Sequence, residues 1–165
     1  MDPSLPIIYT GAGNAASSAQ RLGAAPRALA ALVALSCLSV LVLASRLPPS
    51  PTGVGSHRAL GLESCQFLES TGVPCMSCGM TTSFTWFARG NLLASLYVQP
   101  MGAVLAAMTA CCVWAGLYVA FTGRPVYRLL RLAPGRYYLI PLLMFAVLAW
   151  GWKIFIHLNG IDGWR

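Results

Sequence analysis

Three long apolar runs divide the chain, each bounded by basic or helix-breaking residues. The first, Ala28 to Leu47 (ALAALVALSCLSVLVLASRL), carries no charge between Arg27 and Arg46. About 20 helical residues cross the hydrocarbon core of a bilayer, so this run predicts a transmembrane helix. A secretory signal peptide is the rival reading, with Val42 and Ala44 as the small residues before a cut. The Gly/Ala/Ser-rich stretch ahead of Arg21 holds no base, which makes it a poor signal start. The second run, Met101 to Phe121, follows Pro100, where a proline in the first turn costs little. The third, Tyr137 to about Leu158, has Pro141 in its first turn and Trp150, Trp152 and Trp164 toward its far end. Tryptophans so placed read as an interfacial belt. Lys153 lies among them, where its stem is expected to snorkel the charge to the headgroups.

Between the first two spans the pattern changes. PPSPTGVG reads as a linker, and from Thr81 the sequence turns helical, with Thr81, Thr85 and Arg89 on one side and Phe84, Trp86 and Phe87 over much of the rest. Arg89-Gly90-Asn91 interrupts this run before Leu92, Leu93, Leu96 and Tyr97 resume it. The expectation is one short interfacial or re-entrant helix packed on the spans. The chain therefore divides into a disordered tail (1–26), a first transmembrane helix (27–47), a cysteine-motif loop with its interfacial helix (48–99), and two further transmembrane helices joined by a basic loop (100–165).

Composition confirms the solvent. With 57% hydrophobic and 9% charged residues, the chain lacks the polar surface of a soluble domain. Its 11 Lys+Arg against 4 Asp+Glu give a formal charge of +7. Those bases sit beside apolar runs, which suits lipid headgroups rather than nucleic acid. Arg21 and Arg27 flank the first span, and Arg124, Arg128, Arg131 and Arg136 fill the loop between spans two and three without an acid. The positive-inside rule makes that face cytoplasmic and turns the cysteine loop outward. PVYRLLRLAPGR is chiefly a topology signal, with anionic-lipid contact as a further use of its arginines.

The six cysteines fall into two kinds. Cys37, Cys111 and Cys112 lie inside the spans and read as packing. Ala103, Ala107, Cys111 and Ala115 form a small-residue ladder, the kind of face through which helices of one chain, of two copies or of a membrane partner approach closely. Cys65, Cys75 and Cys78 sit in the loop with spacing C-x9-C-x2-C. C-x2-C brings two sulfurs within reach of each other or of one metal ion. A helix starting near Met80 would aim its amides toward Cys78 and favour thiolate.

Three readings follow. A metal site at Cys65, Cys75 and Cys78 needs a fourth ligand, which only His57 or water supplies locally. Thiol-disulfide exchange would use Cys75 and Cys78 with Cys65 as resolving thiol, although the sequence alone supplies no quinone site or electron route. The third reading is a structural staple. Covalent haem is disfavoured because Gly79, not histidine, follows Cys78. The carboxylates offer no pair inside a span, and the two histidines, His57 and His157, are expected in separate solvated or interfacial roles. No phosphate-cradling loop or serine elbow is present.

The ordered residues Cys65-Gln66-Phe67, Thr71-Gly72-Val73-Pro74-Cys75-Met76-Ser77-Cys78-Gly79-Met80-Thr81, Arg89-Gly90-Asn91 and Gln99-Pro100-Met101 resemble a bacterial membrane-protein family, that of domain of unknown function 2752. The likeness runs from Cys65 to about Leu158. The family pattern places proline where this chain has Met76 and arginine where it has Thr82. Asn91 and Gln99 replace an acid and an amide. What carries across is Cys75, Cys78, Gly79 and Thr81, framed by Cys65, Arg89, Gly90 and Pro100. The resemblance implies a membrane location, here the bacterial inner membrane, and no established activity. Together the sequence predicts an all-α integral membrane protein with three spans and a helix after a Cys-x-x-Cys motif. The expected role is a non-enzymatic membrane component whose cysteine loop serves partner or self-association. The alternative is a membrane thiol-disulfide oxidoreductase or metal-binding protein using Cys75 and Cys78.

Overall fold

The computed structural model describes residues 21–126 and 136–164. Every regular element among them is helical, and three helices are long and apolar enough to cross a membrane: α1 (Ala24–Arg46), α5 (Pro100–Thr122) and α6 (Arg136–Leu158). Each has 23 residues, about 35 Å at the helical rise, against a hydrocarbon core of about 30 Å. The first helix begins at Ala24, inside the segment expected to be tail, because Pro26 falls in its first turn, where no amide is needed. Residues 1–20 and the basic stretch 127–135, with Arg128 and Arg131, lie outside the described residues.

Helices α1 and α5 run antiparallel and form the main packed pair. At one end the Leu22 amide donates to the Gly123 carbonyl (2.8 Å) and Arg27 Nε to the Ala120 carbonyl (2.9 Å), which satisfies orphan carbonyls at the α5 terminus. The close approach is made at Gly116, where a Cβ would lie 2.9 Å from Ala34 Cβ and 2.8 Å from the Ala30 carbonyl. The small-residue ladder is split in its surroundings. Ala103 is buried, lining with Ala107 a crevice against Leu92 and Leu96, whereas Cys111 is exposed.

The segment between α1 and α5 holds more than the single helix expected. A 3-10 turn (Ser56–Leu60) precedes α2 (Gln66–Thr71), α3 (Met80–Ala88) and α4 (Leu92–Val98). Gly90, at φ +83°, ends the α3 turn, and the Asn91 side chain accepts from the Ala94 amide (3.0 Å) to start α4. Helix α3 buries its hydroxyl face, with Thr82, Ser83 and Thr85 inaccessible while its aromatics stay half-exposed. Ser83 Oγ pairs with Ser95 Oγ (2.8 Å), and Thr82 Oγ1 with Ser56 Oγ (2.9 Å). Small hydroxyl groups that satisfy one another let α3 lie close against its neighbours. Gly102 of α5 completes this contact, since a Cβ there would meet Ser83 Cβ at 2.8 Å.

Helix α6 is fastened through its C-terminal half. Ala149, Lys153 and Ile156 are buried, whereas Leu139, Ile140, Leu143 and Met144 stand exposed and apolar, as lipid contact requires. Lys153 corrects the sequence reading. It does not snorkel: it is 0% exposed, donating from Nζ to the Gly53 carbonyl (3.1 Å) and pairing with Asp162 (3.7 Å). The tryptophans likewise clamp protein, with Trp150 Nε1 on the Pro74 carbonyl (3.0 Å) and Trp152 Nε1 on that of Tyr97 (2.8 Å). Trp164 stacks edgewise on Tyr97. The C-terminal ends of α1 and α6, the start of α5 and the whole cysteine segment thus share one end of the protein. Arg21, Arg27 and Arg124 mark the other.

Candidate functional site: a three-thiol cluster at the end of the bundle

Backbone geometry gathers the thiols before side chains refine them. Cys65 is the residue ahead of α2, and Gly72, at φ +70°, ends that helix and turns the chain back. The Cys78 amide then donates to the Cys75 carbonyl (3.0 Å), closing a tight turn over Cys75-Met76-Ser77-Cys78. Gly79 adopts φ +84° at the head of α3, a conformation that L side chains avoid. A Cβ there would also lie 2.8 Å from the Gly53 carbonyl and 3.2 Å from Lys153 Nζ. Two further clamps hold the turn: Trp150 on the Pro74 carbonyl and Gln99 Nε2 on the Met76 carbonyl (3.1 Å).

The result is a cluster of three sulfurs within 4.8 Å of one another. Cys75 Sγ is 3.2 Å from Cys78 Sγ and 3.5 Å from Cys65 Sγ, and all three thiols are free. These separations exceed an S–S bond of about 2 Å. Burial differs across the cluster. Cys78 is 7% exposed, and burial first, then hydrogen bonding with Cys75 and Cys65, pushes its thiol up to about 12. Cys75 is more open. Its modest burial acts upward, but hydrogen bonds from Ser77, Cys78 and Cys65 outweigh it and bring the thiol down to about 7.

Two cavities border the cluster. One, of about 570 Å³, is walled by Val40 and Leu43 of α1, by Leu47 just beyond it and by Phe84 of α3, together with the three cysteines. The other, of about 180 Å³, is lined by the loop residues Ser50, Thr52 and Arg58, and by Cys65 and Cys78. His57 borders both cavities and holds its Nε2 at 3.0 Å from the Glu63 carbonyl. It stands outside the set of atoms clustered with the sulfurs. Cys65, Cys75 and Cys78 are thus the ligands available to a metal ion, and the geometry does not bring His57 in as a fourth.

Among the other motif residues, Thr81 lines the larger cavity and Pro100 opens α5. Gly90 shapes the turn between α3 and α4. Arg89 sits apart from the thiols: its Nη2 donates to the Leu47 carbonyl at the end of α1 (2.9 Å). Thr82, where the family pattern has arginine, is buried against Ser56. Sequence reasoning missed the support beneath the site, which is Lys153, Asp162, His157, Trp150 and Gln99. His157 Nδ1 lies 2.7 Å from Asp162, so this histidine belongs to a polar group with Lys153 rather than to the solvent. A lysine inside an apolar run was the one available signal.

Fold and site define an all-helical, multi-pass membrane protein with a thiol cluster at one end of its bundle. Residues 65–113 match the family described as Protein of unknown function (DUF2752). The match covers the cluster, α3, α4 and the first half of α5, and ends well short of Leu158. No curated protein and no solved structure matches the chain.

Proposed function

We propose that the protein is a membrane thiol-disulfide oxidoreductase, with Cys75 and Cys78 as the exchanging pair and Cys65 as resolving thiol. The 3.2 Å approach of a partly open sulfur to a buried one carries this reading. In exchange, the Cys75 thiolate attacks one sulfur of a partner disulfide, and the other partner sulfur leaves as thiolate. Cys78 or Cys65 then loses its proton and attacks the Cys75 sulfur. The new bond forms within the chain as the mixed disulfide breaks, and the partner departs as a dithiol. The reverse sequence oxidises a partner dithiol.

A third sulfur 3.5 Å away and two cavities at the cluster favour this reading over the scaffold expected from the sequence. The placement of Arg21, Arg27 and Arg124 opposite the cysteines supports an outward-facing cluster in a bacterial inner membrane, where disulfides persist. One observation favours a second reading. Three sulfurs within 4.8 Å suit a soft ion bound by three thiolates.

Differential alkylation of intact cells with a membrane-impermeant maleimide, read by mass spectrometry at each cysteine, tests both. Cys75 and Cys78 labelling that appears only after mild reduction supports exchange at the outer face. Labelling released by a chelator supports the metal site, and free labelling without either treatment refutes both.

A further inference from the structure

The two cavities at the thiol cluster differ in kind, and the difference points to two different reaction partners. The smaller is lined by the loop residues Ser50, Thr52 and Arg58 together with Val54 and Leu68. The larger, at about 570 Å³, is within the size range of small-molecule sites. Its far wall is α1, a helix apolar enough to cross the membrane, and Leu43 on that wall is half-exposed. A molecule dissolved in the bilayer would approach the cavity from this α1 wall. Inside, it meets aliphatic and aromatic side chains together with Cys65, Cys75 and Cys78, and Ser77, Thr81 and His57 as polar groups. An acyl chain alone would have no use for those polar groups. A flat, lipid-soluble molecule with an apolar tail and carbonyl oxygens matches the whole lining.

We propose that this cavity binds a membrane quinone, which oxidises the Cys75–Cys78 dithiol. The inference rests on the oxidoreductase reading and gives it a direction. The Cys75 thiolate adds to the quinone ring, forming a C–S bond. The Cys78 sulfur, having lost its proton, attacks the Cys75 sulfur, so that the S–S bond forms as the C–S bond breaks. The electron pair of the broken bond stays on the ring, which takes up two protons, one from Cys78 and one from water. Two thiols become one disulfide and one quinone becomes one hydroquinone. The disulfide then takes electrons from a partner dithiol by the exchange at Cys75 described above, while Cys65 and Cys78 border both cavities.

The test uses the full chain, reduced, in nanodiscs with decylubiquinone as the lipid-soluble probe and 5,5′-dithiobis(2-nitrobenzoate) as a soluble disulfide. Quinone reduction is followed by absorbance and the Cys75–Cys78 disulfide by mass spectrometry. The wild type is expected to consume quinone stoichiometrically with disulfide formation. Leu43→Trp, which fills the cavity from α1, is expected to slow the quinone reaction by about tenfold or more while the soluble disulfide reacts as before. If Leu43→Trp loses both reactions, Leu43→Phe is measured in its place and judged by the same ratio. Exchange with the soluble disulfide but no quinone reduction, as when lipid alone fills the cavity, overturns the quinone inference and leaves the oxidoreductase reading standing. An equal quinone rate in wild type and variant overturns the assignment of the cavity. Failure of both reactions in the wild type overturns the oxidoreductase reading itself.

Discussion

Lys153 offers the sharpest check on how the thiol end is held together. Its ammonium is fully buried, 3.1 Å from the Gly53 carbonyl and 3.7 Å from Asp162 Oδ2. At that separation, with an effective dielectric of about 20, the ion pair is worth roughly 4 kcal/mol before desolvation is charged against it. Lys153→Met keeps the stem and removes the charge. It leaves the Gly53 carbonyl buried without its donor, a loss of about 1–3 kcal/mol. Asp162 retains His157 at 2.7 Å, which limits further damage. Asp162→Asn is the harsher change, because it leaves a buried ammonium unpaired, at about 3–5 kcal/mol. The double variant removes both charges and is expected to be more stable than the sum of the single losses predicts, by about 1–3 kcal/mol. Reversible unfolding in mixed micelles, followed through the tryptophan signal, measures all four corners of the cycle. Additivity within about 0.5 kcal/mol, or a Lys153→Met variant as stable as wild type, would refute the buried pair and restore a lysine that merely reaches for the headgroups.

Two further outcomes are expected. Gly116→Ala should destabilise the α1/α5 pair by about 1–3 kcal/mol, since the added methyl meets Ala34 Cβ at 2.9 Å and the Ala30 carbonyl at 2.8 Å; unchanged thermal stability in micelles would show that the helices do not touch there. Maleimide reactivity of Cys75 should rise with a midpoint near pH 7, two units below its ordinary 9.0, while Cys78, held up near 12, stays unreactive through the same range. The sign for stability follows. As pH climbs from 7 toward 9 the unfolded chain holds more protons at Cys75, so the fold gains; above 9 the unfolded chain loses a proton at Cys78 that the fold retains, so the fold loses. Equal reactivity of the two thiols at every pH would refute the asymmetry.

Much of the architecture is legible one residue at a time. A run of about 20 apolar residues is a local property, and the three spans begin within a few residues of the expected Ala28, Met101 and Tyr137, although Pro141 lies inside α6 rather than in its first turn. The C-x2-C turn is local too, and so are Gly79 and Gly90, whose positive φ marks the two ends of α3. Periodicity succeeded less well on α3. The pattern places threonines and aromatics on two sides of an interfacial helix, and the buried side is the hydroxyl one, because Ser83 pairs with Ser95 of α4 and Thr82 with Ser56.

The amino-acid sequence by itself thus determines a helical membrane protein and names three loop cysteines as its chemistry. Only the tertiary structure decides what surrounds them. Lys153 meets Gly53 across 100 residues, Trp150 meets Pro74 across 76, and Trp152 meets Tyr97 across 55. No spacing rule reaches so far, because which polar group receives a buried ammonium or indole depends on where the chain returns in space. The wall of the apolar cavity has the same origin: α1 and the cysteine turn become neighbours only when α3 packs on both α1 and α5 and brings the turn to the end of the bundle.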